Sequence, residues 1–328
     1  MPDIFPKVVG QDTAKLLLSR AVSTRTCPPG YIFSGPSGVG KRTMAMEVGR
    51  LLNCRGTQAE SCSCRSCTLL REGTHPDIRV YQPEGRVFKV DTIREMREES
   101  TYRPYLGAWK VFVLGEADRM NREAANAFLK VLEEPTGPTL FIILHEEESL
   151  LPTIESRCVR VPFFPLTTDQ VKDALRRANP EAESVDLEAS ISAGIVSRAQ
   201  AYLGADFKGE RAEAFRIFLS IWAGKLSLSM SLMGDMGRAA GEVLPKLDHF
   251  LSFLRDLWLL KEGKEEQIRN VDFVEELRTL TGFSSELLAM VTHRTNEMVR
   301  LIGNSNLEIQ MRAYLTSILL SIHSEAGI

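Results

Sequence analysis

Gly35-Pro36-Ser37-Gly38-Val39-Gly40-Lys41-Arg42-Thr43 lies between an apolar strand-like run, Gly30-Tyr31-Ile32-Phe33-Ser34, and a helix-like run from Thr43 through Met46, Val48 and Leu51 to Leu52. Strand, glycine-rich turn and helix in that order form the setting of a phosphate-binding loop. Gly35, Gly38 and Gly40 let backbone N–H groups turn toward an anion, and the helix N-terminus adds partial positive charge. Lys41 is spaced to reach the β- and γ-phosphates of a nucleotide. The metal half of such a site does not follow. The residue after the lysine, where a Ser or Thr hydroxyl holds Mg²⁺, is Arg42, and Thr43 lies one step further on, about 100° round the helix. The loop is shaped for ATP or ADP phosphates and poorly equipped for Mg²⁺.

A second metal-holding position is missing downstream. Trp109-Lys110-Val111-Phe112-Val113-Leu114 is near-continuously apolar and reads as a strand buried on both faces of a parallel sheet. In nucleotide-hydrolysing enzymes the end of such a strand carries an Asp for Mg²⁺ and then a Glu for the attacking water. Here Gly115 occupies the Asp position and Glu116 remains. Two losses at one ion are consistent with each other.

The rest of the first half alternates in the same way. Ile78–Tyr81, Leu140–Leu144 and Val159–Val161 read as strands, while Val90–Glu99 and Asn121–Glu133 read as amphipathic helices. This alternation predicts an α/β domain with a parallel sheet. Upstream, Val8 and Val9 read either as a cap on the core or as an apolar wall for an adenine ring. From Leu166 onward no strand pattern recurs. Residues 166–206 read as a small helical unit and 208–328 as long amphipathic helices, among them Ala212–Trp222 and Leu307–Ile322, with faces wide enough for a bundle or an oligomer interface.

Cys54, Cys62, Cys64 and Cys67 crowd the segment after the loop helix. In a reducing compartment a tight cluster reads as a metal site before disulfides, and four thiols suit one tetrahedral Zn²⁺. The one-residue gap between Cys62 and Cys64 is tighter than usual, and free thiols or an absent ligand are the alternative. Nothing nearby suggests an open catalytic position, so the zinc is read as structural. His75, in Gly73-Thr74-His75-Pro76-Asp77, reads as a hydrogen-bonded turn residue ahead of a ligand.

The bulk composition bounds the rest. The 328 residues allow roughly two or three domains. With 44% hydrophobic and 25% charged residues the composition is ordinary for a soluble protein, and a net charge of −3 argues against a globally basic nucleic-acid binder. Any DNA contact is then local or shared with partners. No leader-like segment and no membrane-length apolar run is read, so the expectation is a cytoplasmic protein without a membrane partner.

Together with Val8-Val9-Gly10-Gln11, the stretch Ala124-Ala125-Asn126-Ala127-Phe128-Leu129-Lys130-Val131-Leu132-Glu133-Glu134-Pro135 and the triplet Ser156-Arg157-Cys158, these landmarks resemble bacterial clamp-loader subunits of the AAA+ class, in that family's order over residues 5–165. The match is weaker in the tail, where Asn304 and Asn306 precede the last helix. The resemblance implies an AAA+ nucleotide-binding-type domain over 1–165 with an inserted zinc module at about 54–67. A three-helix lid over 166–207 and an all-α collar over 208–328 would follow. It implies a ring-like pentamer with the ATPase subunits (τ or γ) and a δ subunit, which opens the sliding clamp and places it on primed-template DNA. Arg157 matches the family's arginine finger, acting in trans, and Arg198 matches a lid arginine that senses nucleotide. Arg42 and Gly115 depart from the hydrolysing members. They favour a stator-like member lending one arginine to a neighbour, over an active ATPase of the τ/γ type that holds Mg²⁺ through Thr43 and water.

Overall fold

The computed structural model describes residues 4–83, 87–133, 137–146, 150–182, 184–204, 207–223, 239–302 and 307–326. Glu134, Pro135, Asn304 and Asn306, quoted above, lie outside them. The described chain gathers into two compact units. One holds residues up to 182 together with 192–199, and the other holds 183–191 and residues from 200 onward.

The first unit is built on five parallel strands, β1 (Gly30–Ser34), β2 (Ile78–Tyr81), β3 (Lys110–Leu114), β4 (Thr139–His145) and β5 (Cys158–Pro162), in the order β2-β3-β4-β1-β5. Five helices alternate with them: α1 (Asp12–Thr24), α2 (Lys41–Asn53), α3 (Arg65–Arg71), α4 (Val90–Thr101) and α5 (Arg122–Glu133). A sixth, α6 (Pro152–Glu155), is a single turn before β5. All of β1 and β4 is buried. That explains the unbroken apolar runs, because successive side chains enter different cores. Tyr31, Phe33, Val111, Val113, Leu140 and Ile142 face the core under α1 and α2, while Ile32, Phe112, Leu114, Phe141 and Ile143 face the core under α4 and α5. At the edge, β5 exposes Val159 and Arg160 and ends on Pro162, a residue that an edge strand tolerates. Asn121 caps α5, its Oδ1 accepting from the N–H of Ala124 at 2.8 Å.

Two buried polar side chains fix the loop that leads into β3. The Asp77 carboxylate, 2% exposed, accepts from the N–H groups of Tyr105, Leu106 and Gly107 at 2.6, 2.7 and 2.6 Å. Asn53 Oδ1 accepts from Ala108 and Trp109 at 2.8 Å each, and its Nδ2 donates to the Trp109 carbonyl at 3.0 Å. These bonds satisfy five consecutive amides that no strand partner reaches.

Beyond β5, α7 (Thr168–Ala178) opens with a capping box between Thr167 and Gln170, and α9 (Val196–Tyr202) follows α8 (Asp186–Ile191). The second unit is helical among its described residues: α10 (Phe207–Trp222), α11 (Ala240–Lys261), α12 (Val274–Arg278), α13 (Ser285–Leu301) and α14 (Leu307–Ala326). Phe215, Phe218, Phe250 and Phe253 meet at its centre: Phe218 contacts the other three and Phe215 contacts Phe253, in tilted, stacked or edge-on geometry. A partly buried polar knot ties the turn at 269–272 to these helices. Arg211 binds Asp272, donates to Asn270 Oδ1 at 2.6 Å, and lies 4.4 Å from the Phe273 ring centroid. The fully buried Asp256 accepts from the N–H groups of Arg269 and Asn270.

Candidate nucleotide and metal sites

At the C-terminal edge of the sheet, β1 runs into the glycine loop and the loop into α2. The backbone passes so close to its surroundings that side chains are excluded. A Cβ on Gly35 (φ +145°) would meet the Phe163 carbonyl oxygen at 2.1 Å, and one on Gly38 (φ +77°) would meet Ser197 Oγ at 1.9 Å. The start of α9 thus sits on the loop, with the Ser197 N–H donating to the Gly38 carbonyl at 3.3 Å. Arg198, exposed, is the next residue along. Lys41 is 7% exposed and donates to the carbonyls of Gly35 and Pro36. Arg42 and Thr43 both face solvent from the first turn of α2.

Gly115 follows β3 and donates to the Tyr81 carbonyl at 2.9 Å. The nearest atoms a Cβ there would meet belong to the amide end of the Gln82 side chain, the first at 3.0 Å. Glu116 adopts a left-handed conformation (φ 50°) and pairs with Arg119 at 2.9 Å. Val8 is buried in the core beside Phe5, and Val9 is half-buried.

Three residues in this region carry signals that local sequence patterns do not show. His145 ends β4, is 3% exposed, accepts the Gly35 N–H at its carbonyl and pairs through Nδ1 with Asp118. Asp118 Oδ2 also accepts the Glu146 N–H at 3.1 Å. Gln11 spans the N-terminal motif and the loop: its Nε2 donates to Val39 and Phe164 carbonyls at 3.2 and 2.7 Å, and its Oε1 accepts the Phe164 N–H. Only strand order and chain reversal bring these groups together.

Arg157 lies apart, on the turn after α6. From sequence its one acidic neighbour is Glu155. The structure corrects this: Arg157 Nη2 binds Glu133 Oε1 at 2.6 Å, at the end of α5, and Glu155 approaches Arg160 instead, at 4.0 Å. Arg157 Nη1 also donates to the Thr153 carbonyl at 2.9 Å. The arginine side chain keeps 39% exposure.

The cysteine cluster assembles as its spacing suggests. Cys54 closes α2, Cys62 lies in the following loop, Cys64 precedes α3 and Cys67 is in its first turns. One sulfur from each falls within 4.8 Å of all the others. Cys54 Sγ is 3.6 Å from Cys62 Sγ and 4.0 Å from Cys64 Sγ. Tetrahedral ligation at about 2.3 Å puts sulfurs about 3.8 Å apart, so the four thiols are placed to hold a metal ion. All six cysteines are free thiols. Hydrogen bonding from the Cys64 backbone leads the causes that hold the Cys62 thiol down to about 6, whereas burial pushes Cys67 up to about 12. His75 stays out of the cluster. It is 4% exposed, its Nε2 is 2.9 Å from Ser66 Oγ, and its Nδ1 accepts the Asp77 N–H. Burial lowers its pKa.

A five-stranded parallel sheet in the order β2-β3-β4-β1-β5, with a phosphate loop after β1, an arginine just before the edge strand β5 and a helical continuation, fits the α/β architecture that the resemblance to the AAA+ class implies. The family described as "DNA polymerase III, delta subunit" matches residues 10–167. DNA polymerase III subunit δ′ of Bacillus subtilis is 26% identical over 303 residues, covering 89% of this chain and 91% of that protein. Subunit δ′ of Pseudomonas aeruginosa is 39% identical over 191 residues, 56% of this chain and 58% of the relative. The γ/τ subunit of Mycobacterium tuberculosis is 36% identical over 180 residues, but the match spans only 31% of that protein. The chain is thus similar to δ′ subunits of DNA polymerase III, over 89% of its length in the Bacillus subtilis case. Among its described residues no helix is long and apolar enough to cross a membrane.

Proposed function

We propose that this chain serves a DNA polymerase III clamp loader as a subunit that does not hydrolyse ATP itself. The observation that carries the reading is the mismatch within the nucleotide site. The phosphate cradle and Lys41 are intact, while Arg42 and Gly115 stand where a hydroxyl and a carboxylate would hold Mg²⁺. Nucleotide phosphates without a protein-held metal lose the ion that bridges the β- and γ-oxygens and neutralises developing charge. The residues toward a bound ATP or ADP would be Gly35, Gly38, Gly40, Lys41, Arg42 and Thr43, with Val8 and Val9 beside the base and Glu116 and Arg198 near the phosphates.

In this reading Arg157 acts on the neighbour's nucleotide. Its surface position and planar, permanently charged fork suit a γ-phosphate presented from another subunit. The partners are the τ/γ ATPase subunits and δ, and through the assembled ring the sliding clamp and primed-template DNA, in the cytoplasm. The functional division would be 1–165, a lid over 166–207 and a collar over 208–328. The metal at Cys54, Cys62, Cys64 and Cys67 would be a structural Zn²⁺, the all-sulfur donor set leaving no open position for catalysis. Reconstitution with partner subunits tests the reading. Clamp loading that needs this chain, with no ATP turnover by the chain alone, is the expected result. Loading that proceeds equally without it would overturn it.

A further inference from the structure

Arg50 lies on α2, about two and a half turns along from Lys41, and is 3% exposed. A buried guanidinium needs compensating charge and acceptors for all its donors. Its Nε binds both oxygens of the equally buried Glu47, at 3.1 and 3.0 Å. Its Nη1 donates to the carbonyls of Gln58 and Ala59, at 3.1 and 3.2 Å, within the loop between Cys54 and Cys62. Nη2 is buried without a hydrogen-bonded partner, although Glu47 Oε2 lies 2.9 Å away out of line with its N–H groups. The same guanidinium lies against the Cys67 sulfur, and both residues line one cleft of about 370 Å³ with Lys7, Glu60 and Arg71.

Four thiolates around a divalent ion carry about two negative charges in excess. Glu47 already has Lys7 at 3.6 Å as a second cation, and Arg71, exposed, reaches the cluster through the Cys62 carbonyl at 2.9 Å. We infer that Arg50 is the outer-sphere cation of the cysteine cluster. Its guanidinium lies beside Cys67 in the shared cleft and has a donor without a hydrogen-bonded partner, so retention of a thiolate-bound metal is coupled to the helix that starts at the phosphate-loop lysine. A thiolate is a far better acceptor than a thiol, which is what an orphaned buried donor beside Cys67 calls for. The inference rests on the metal reading of the four cysteines.

The full-length chain, loaded with Zn²⁺ or with Co²⁺ as an absorbing substitute, is titrated with a competing chelator. Outer-shell partners are worth about 10- to 100-fold in metal affinity. Arg50→Gln should lose that much, Arg50→Lys should recover most of it, and the Co²⁺–thiolate absorption of Arg50→Gln should shift. Glu47→Gln removes the competing carboxylate but leaves the guanidinium, so it should hold metal at least as tightly as the unmodified chain. A chain that takes up no metal before mutation overturns the metal reading and this inference together. If the unmodified chain binds metal, equal retention by Arg50→Gln and Arg50→Lys overturns the inference alone. So does a Glu47→Gln loss as large as that of Arg50→Gln, which would mark the pair as merely structural. Should Arg50→Gln fail to fold, the Glu47→Gln result and the tightness of Arg50→Lys still decide between the two.

Discussion

Lys41 Nζ donates to the Pro36 carbonyl at 2.9 Å and to the Gly35 carbonyl, so the lysine closes on the loop that carries it. To meet phosphates it must give up these bonds, which a nucleotide's charge can repay. Binding without turnover is the expected behaviour. Steady-state phosphate release by the pure chain should not exceed that of Lys41→Ala, while equilibrium titration detects ADP or ATP with little dependence on Mg²⁺. The paired change Arg42→Thr with Gly115→Asp should restore Mg²⁺-dependent binding. It is sterically open, since Gly115 has no left-handed φ and the nearest obstacle is the flexible end of Gln82. Turnover by the unmodified chain that vanishes in Lys41→Ala would refute the reading.

The cysteine cluster leads to a prediction of composition. Protein purified without added metal should contain one Zn²⁺ per chain by elemental analysis, and Cys64→Ser should lower that content. Metal and local folding are linked. Chelation should therefore unfold the segment about Cys54–Cys67, read as lost amide protection there, while the β1, β3 and β4 amides keep theirs. A zinc content near zero would exclude the assignment.

Strand limits were legible because parallel strands covered on both faces are apolar along their whole length. The run read as Gly30–Ser34 is β1 to the residue, and Leu140–Leu144 grew by only one residue at each end. The glycine loop and the four cysteines were legible for a related reason, since their chemistry resides in spacing. What escaped was pairing across the sheet. Glu133 meets Arg157 because α5 ends beside α6, and Asp118 meets His145 because β3 and β4 are neighbours. Strand order is not written in any local window. The pairing of buried Arg211 with Asp272 at the surface was hidden likewise, 61 residues apart in sequence.

Asp77 shows how much such a hidden contact can carry. Its carboxylate takes three backbone N–H groups within 2.7 Å while 2% exposed. Hydrogen bonds to charged groups contribute about 1.5–3 kcal/mol each, and orphaned buried donors cost similarly. Asp77→Ala should therefore destabilise the sheet unit by about 3 kcal/mol or more in denaturant unfolding, and Asp77→Asn by less, since its one oxygen still serves part of the set. A loss under about 1 kcal/mol would mean that water takes over the three amides.

Arg157 offers the sharpest separation of stability from function. Its bond to Glu133 is short, but both side chains are well exposed, at 39% and 48%, and exposed pairs are worth about 0–1 kcal/mol. Arg157→Ala should accordingly leave the unfolding midpoint almost unchanged and the chain able to join its complex. Arginine fingers supplied in trans are worth about 10³–10⁵ in rate at a single site. In a ring with several sites the total should fall by less, with DNA-stimulated ATP hydrolysis and clamp loading both reduced although this chain turns over no nucleotide itself. Glu133 adds a second arm. While the arginine is held by that carboxylate it is not available to a neighbour, so Glu133→Gln should leave hydrolysis by the reconstituted complex intact or raise it. Arg157→Lys should not rescue, because a point charge lacks the planar fork. Unchanged hydrolysis and loading with Arg157→Ala would confine Arg157 to its local bond with Glu133 and leave the chain a scaffold.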